Sequence, residues 1–269
     1  MKIGVIGFGN LGKSFVSGVV KSGMRQEDIG ITAKSLNTIN NISNLYPHVT
    51  SYMDKKLLVQ SSDIIFMVVE PQKAYEVFEE IKSCNFDNKI IVSLMAGVTI
   101  DTIRAELGDG TGTYKIVRAM PNIAISMCNG IIGISYTLKD EDIGSVISLF
   151  EKLGYVVKLE ESRLESITIT AASGLAFVSC LMDAYQTAVE LLVKDATLSQ
   201  VITQKVMENV TSIIAEKNIT FRQLEELITT KGGVTEAGLK SLDRSLINET
   251  LKVCLTDAYN HTKKLKDKK

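Results

Sequence analysis

The chain has 269 residues, 45% of them hydrophobic and 23% charged, a make-up that builds one large or two ordinary domains and excludes a disordered tail. Thirty basic residues against thirty-one acidic ones leave a net charge of −1, which supplies no electrostatic footprint for nucleic acid or an anionic membrane. The two histidines, His48 and His261, stand far apart; no metal site is expected, and histidine-driven chemistry has few candidates.

Along the chain, residues 2–6 (KIGVI) predict a strand, followed at once by glycines 7, 9 and 12 and a helix from Leu11 to about Ser22. Residues 28–32 (DIGIT) predict a second strand, bounded by the polar stretch Lys34 to Asn37. The run 63–69 (DIIFMVV) is apolar from Ile64 on, as in a strand covered on both faces of a parallel sheet. Pro71 stops it, and helical spacing resumes over Lys73 to Lys82. KIIVSL (89–94) repeats the pattern, with a helix from about Ile100 to Leu107. KIVRAM (115–120) is ended by Pro121, a further strand falls around IIGIS (131–135), a helix covers 140–152, and a last strand runs Tyr155–Lys158. Such alternation predicts an α/β fold with a doubly wound parallel sheet.

After about Glu160 the strand signals stop. Apolar residues recur at helical spacing over 164–193, and further helices fit Ser199 to Glu216, Phe221 to Ile228, and Thr235 onward. No proline follows Pro121. The predicted division is an α/β domain over 1–159 and an all-α domain over 160–269. A long helix with no clean polar face packs against several neighbours, either within an ordinary bundle or against another subunit. The Lys-rich end (KKLKDKK, 263–269) reads as a solvated tail.

Cys84, Cys128, Cys180 and Cys254 form no CxxC pair and read as small hydrophobes in a reducing compartment. The apolar run Ile64 to Val69 is too short to span a bilayer. With a strand beginning at residue 2, no room is left for a signal peptide, so the expected location is cytoplasmic.

The segment GFGNLG (Gly7, Phe8, Gly9, Asn10, Leu11, Gly12) has GxGxxG spacing, directly after a predicted strand and opening a helix. In that context Gly7 permits the tight turn, Gly9 the approach of a pyrophosphate, and Gly12 close helix–strand packing. The helix N-terminus offers unpaired N–H donors to the phosphates. The other reading is a glycine turn in an unrelated α/β protein. The second strand ends in Thr32-Ala33-Lys34-Ser35, with no acid nearby in sequence. A carboxylate there selects NAD, whereas a cation and hydroxyls receive a 2′-phosphate. Lys34 and Ser35 therefore favour NADPH over NADH, unless Lys34 is simply a surface lysine. Val69-Glu70-Pro71 and Met95-Ala96 fall at the carboxyl edge of the sheet, where small residues admit a nicotinamide ring. Asn122 closes the same edge and either holds a loop or binds the carboxamide. The cluster 229–238 (TTKGGVTEAG) is either a helix–helix corner or, through Gly232 and Gly233, an anion nest entering a helix at Thr235.

These residues together resemble the pyrroline-5-carboxylate reductase family. The resemblance spans nearly the whole chain: GFGNLG, the strand-ending EPQ (70–72), VRAMPN (117–122), SGLAF (173–177) and TTKGGVTEAGLKSLD (229–243). It implies a Rossmann domain followed by an α-helical substrate-binding and dimerisation domain that interlocks with a partner copy, in dimers or a ring of dimers. It also implies reduction of the cyclic imine pyrroline-5-carboxylate to proline with NADPH or NADH. By the resemblance, Gly232, Gly233, Val234 and Thr235 supply main-chain donors to the substrate carboxylate, and the Thr235 hydroxyl approaches the ring nitrogen. Ser173 lies on the other side of the substrate, with Asn122 and Ala96 by the nicotinamide.

A protonated cyclic imine is already an electrophile, so orientation does most of the work and no histidine acid is required. Three positions depart from the family's usual residues: Glu70 replaces a lysine, Leu175 and Lys231 replace prolines. They keep open a reductase of another small cyclic imino acid, or a nucleotide-binding regulatory relative without turnover. A 3-hydroxy-acid dehydrogenase of similar architecture would need a Lys and an Asn just beyond the small-residue cluster. Residues 177–183 (FVSCLMD) hold neither.

Overall fold

The computed structural model describes residues 1–242 and 244–266, with side chains through Thr262; Asp243 and the side chains of the Lys-rich end lie outside the described set. Strand β1 (Ile3–Ile6) leads through the glycine turn into α1 (Asn10–Lys21), and β2 (Ile29–Thr32) follows. Next come α2 (Leu36–Leu45), β3 (Thr50–Tyr52) and α3 (Lys55–Ser61), none of which the apolar pattern predicts. Three residues of strand, none of them buried, carry no alternation to read, and α2 buries only Ile42. Their termini are marked instead by caps: Ser35 Oγ accepts from the Thr38 N–H and Asp54 from that of Lys56, satisfying first-turn donors.

The alternation continues with β4 (Ile64–Met67), α4 (Ala74–Ile81), β5 (Ile90–Ser93), α5 (Ile100–Glu106) and β6 (Lys115–Pro121). Then β7 (Gly130–Ser135), α6 (Gly144–Leu153) and β8 (Gly154–Lys158) complete one eight-stranded sheet in the order β3-β2-β1-β4-β5-β6-β7-β8. Strands β1 to β6 are mutually parallel, β7 is antiparallel to β6, and β8 is parallel to β7. The sheet is therefore mostly rather than wholly parallel. The β6–β7 connection is a single 3-10 turn, Ile123–Met127, closed by Cys128 in the left-handed region, and a parallel return needs a much longer crossover.

Side chains of the central strands divide between two cores. Ile3, Val5, Ile64, Phe66 and Val92 face the side covered by Phe15, Val16 and Val19 of α1 and Val146, Leu149 and Phe150 of α6. Ile6, Ile65, Met67 and Ile91 face Leu58 and Val59 of α3, Val77, Phe78 and Ile81 of α4, and Ile103 of α5. Each fully buried side chain of this size contributes about 1.5–3 kcal/mol. Unbroken apolar runs are thus the sequence imprint of two covered faces.

A cation is buried in β6. Arg118, in the middle of β6, is 1% exposed and pairs with Glu161 (2.9 Å) and Glu165 (3.4 Å). Those carboxylates lie in a 3-10 turn and in α7 (Leu164–Ile167), just after β8. A buried guanidinium without them is strongly destabilising, so the pair fixes this segment against the sheet.

The helix expected over 164–193 is interrupted by a π-helical stretch, Thr168–Ser173, before α8 (Gly174–Val193) begins. By its contacts the chain divides into one unit of Met1–Ser173, joined by the segment from Ala258, and another of Gly174–Asp257. The first unit runs past residue 159 because α7 and the π stretch pack on β6 and β7. The second holds α8, α9 (Ala196–Lys217), α10 (Phe221–Ile228), α11 (Val234–Ser241) and most of α12 (Arg244–Lys266). Among its described residues only Ser199, Thr203 and Leu224 are buried.

Candidate active site

The strand order reverses between β1 and β4, and a cleft opens at the carboxyl ends of β1, β2 and β4, where ligands of doubly wound sheets bind. Its volume is about 470 Å³, and it is lined by Gly7, Phe8 and Gly9 from the first turn, Thr32 to Lys34 after β2, and Val68 to Glu70 after β4. Thr38, Met53, Lys55, Lys73 and Glu76 complete the wall.

The three glycines have separate reasons. Gly7 has φ +109°, and a Cβ there would lie 2.3 Å from the Val68 carbonyl. A Cβ on Gly12 would lie 2.4 Å from the Gly7 carbonyl oxygen, so α1 could not approach the strand. At Gly9 a Cβ would meet no protein atom within 4 Å; it would fill only the cleft. Gly9 is also the N-cap of α1, with no side-chain cap and no acid in the first turn. The leading N–H groups and positive dipole end are left for an external anion. The turn therefore fits a dinucleotide pyrophosphate. The Gly7 N–H donates to Thr32 Oγ1 at 3.3 Å, tying the ends of β1 and β2 together.

The remaining expected cofactor residues fall into distinct places. Asn10 and Leu11 open α1. Lys34 lines the cleft, whereas Ser35 caps α2, and Thr38, which also lines the wall, shares a 3.0 Å hydrogen bond with Ser35. Val69 and Glu70 line the cleft, and Pro71 begins the 3-10 turn Pro71–Lys73 ahead of α4. Met95 is fully buried on the α3/α4 side of the sheet, a core residue rather than one free to meet a ligand, while Ala96 beside it is exposed.

Asn122 is 4% exposed. Its Nδ2 donates to the Ala171 carbonyl at 3.0 Å, and its Oδ1 accepts from the Ile131 N–H at 3.3 Å. Of its two readings, the structure supports the loop-holding one: burial and these two bonds tie it to β7 and the π stretch. The π stretch explains the partner, since a wider turn shifts carbonyls out of the i to i+4 ladder.

Met53 and Lys55 carry no mark in the sequence because they follow β3, and Lys73 and Glu76 none because only the strand order brings the turn before α4 and its first turn beside the end of β2. Glu70 is ion-paired with Lys73 at 2.5 Å. The Lys73 hydrogen bond holds its carboxyl below the ordinary carboxylate range. Its charge is thus matched locally and does not stand alone beside a phosphate.

In the second unit, Gly232 has φ +75° and Gly233 is the N-cap of α11. The Gly232 N–H donates to Glu236 Oε2 at 2.9 Å, and the Gly233 N–H to the Thr230 carbonyl at 2.9 Å. Both donors are engaged within the loop. Val234 and Thr235 are the first residues of α11, so their N–H groups have no acceptor within the helix. Val234 is 92% exposed. Ser173 ends the π stretch in the first unit.

Two family models match the chain. Residues 2–97 match one described as NADP oxidoreductase, coenzyme F420-dependent, and residues 161–265 match the pyrroline-5-carboxylate reductase dimerisation model. The chain is 27% identical over 270 residues to pyrroline-5-carboxylate reductase 2 of Bacillus subtilis, covering 99% of this chain and 95% of that protein. A solved pyrroline-5-carboxylate reductase from Coxiella burnetii superposes with a TM-score of 0.86 at 27% identity, over 98% of both chains. The Plasmodium falciparum pyrroline carboxylate reductase, solved with NADP bound, gives a TM-score of 0.86 at 21% identity, over 99% of this chain and 98% of that one.

Proposed function

The chain belongs to the pyrroline-5-carboxylate reductase family, and on that premise we propose that it reduces 1-pyrroline-5-carboxylate to L-proline, the last step of proline biosynthesis, with NADPH preferred over NADH. The observation that carries the reading is the pairing, on one chain, of the Gly7–Gly12 cleft with a dimerisation domain whose span includes Gly232 to Thr235. Imine, NADPH and one proton give proline and NADP⁺. The coenzyme, when bound, supplies the hydride for the imine carbon.

The chain's own residues orient and neutralise. The cleft holds the pyrophosphate at the N-terminus of α1, and Lys34 and Thr38 meet the 2′-phosphate as a point charge and a hydroxyl. Ala96 leaves room at the nicotinamide end. The N–H groups of Val234 and Thr235, with the dipole of α11, hold the substrate carboxylate, and Lys231 adds positive charge beside it. We assign the Thr235 hydroxyl to the ring nitrogen, where it steadies the proton carried by the imine, and Ser173 as a second hydroxyl toward the substrate. Gly232 and Gly233 shape this loop. A Cβ at Gly233 would lie 2.4 Å from Thr230 Oγ1.

The active form is assigned as a homodimer through the helical domain, with rings of dimers as its higher assembly, and the cytoplasm as its location. The stretch Glu161–Val193 is long and apolar enough to cross a bilayer by composition, yet little of it is buried; its apolar face is assigned to a partner copy.

The test is Thr235→Ala in steady-state kinetics. The expected result is a loss in kcat/KM on the order of 10²-fold, with NADPH affinity unchanged. Full retention of kcat/KM would remove Thr235 from the site.

A further inference from the structure

The cleft carries its own carboxylates. Lys34 Nζ lies 3.2 Å from Glu76 Oε1, and Lys73 Nζ lies 2.5 Å from Glu70 Oε2. All four side chains line the same wall. Lys55, the third lysine there, is paired with Glu80. The wall that faces the adenine ribose is therefore close to neutral, although the end of β2 offers only a lysine and hydroxyls. The acid missing from the second strand is supplied in space by the first turn of α4.

Lys34 and Glu76 are 60% and 56% exposed, and an exposed pair of this kind holds together by about 0–1 kcal/mol. Either partner is easily released to a ligand. A 2′-phosphate draws Lys34 and leaves Glu76 as a nearby like charge that opposes it. A free ribose 2′-hydroxyl can instead donate to the Glu76 carboxylate, the interaction by which an acid selects NAD.

Resting on the coenzyme reading above, we propose that Glu76 is a coenzyme-specificity residue: it receives the ribose hydroxyl of NADH and limits the advantage that Lys34 gives to NADPH. The cleft then accepts both coenzymes, and the ratio of their affinities is set by the Lys34–Glu76 pair. Glu70 feels the Lys34 charge as well, but its ion pair is with Lys73 rather than Lys34.

Isothermal titration of the full-length protein with NADPH and with NADH tests this without turnover. Glu76→Gln is expected to tighten NADPH and weaken NADH, raising the affinity ratio by about tenfold, the range of one charge-assisted hydrogen bond. Lys34→Gln is expected to lower the ratio by a similar factor through NADPH alone. Both side chains are more than half exposed, and Glu76→Ala provides a second variant with the same expected direction. A ratio that stays within about twofold of wild type in both Glu76 variants would overturn the role of Glu76. Wild-type protein that binds neither coenzyme would overturn the coenzyme reading itself.

Discussion

Asn122 shows what a single side chain decides. As a sequence position, an Asn after Pro121 is equally a turn residue or a ligand for a carboxamide. Buried at the end of β6, it joins β7 to the π stretch that ends in Ser173. Asn122→Ala removes both bonds and is expected to cost about 1–3 kcal/mol of stability, seen as a lower urea midpoint. It should also lower kcat while leaving NADPH affinity unchanged. A weakened Kd for NADPH with unaltered stability would return Asn122 to the coenzyme. Arg118 is the same kind of lesson: a charge inside the apolar run KIVRAM is visible in sequence, but its two carboxylates lie forty-odd residues on and are found only in three dimensions.

Among the elements, those buried on two faces were legible and those packed at the rim were not. IIFM and IIVS are each wholly buried and read as strands without ambiguity. TSY, exposed to half-buried, did not, and with it went Met53 and Lys55 of the cleft. Glycine spacing was legible in position, and the structure separates Gly7 and Gly12, each pressed against backbone, from Gly9, which meets no protein atom. That difference is testable. Gly12→Ala pushes a methyl against the protein itself and is expected to cost about 1–3 kcal/mol as well as coenzyme binding. Gly9→Ala meets only the cleft, so thermal unfolding should be unchanged while NADPH binding weakens by about tenfold or more. Equal destabilisation by the two would contradict the assignment of Gly9 to the pyrophosphate. The glycine corner at Gly232 was legible as a turn but not in its bonding. No spacing rule shows that Glu236 reaches back to Gly232 from the first turn of α11.

For the whole molecule, the helical unit poses the largest physical question. Helix α8 has no buried residue, and Leu175, Val178, Leu181, Leu191 and Leu192 all stand exposed. Five helices that bury one apolar side chain among their described residues do not make a stable core alone. A second copy of the same chain covers such a face in an obligate interface. Sedimentation is expected to show a dimer that persists on dilution, and Leu181→Glu should split it and lower its unfolding temperature. A wild-type monomer at all concentrations would contradict that assembly. The sequence already carried this surface, as a thirty-residue helical pattern without a polar face; what it could not show is how little of it the chain covers by itself.

Turnover itself is measured by following coenzyme absorbance when purified protein meets 1-pyrroline-5-carboxylate and NADPH. The expected result is coenzyme oxidation that depends on the imine and yields L-proline in equal amount. Measurable NADPH binding with no proline formed would contradict it.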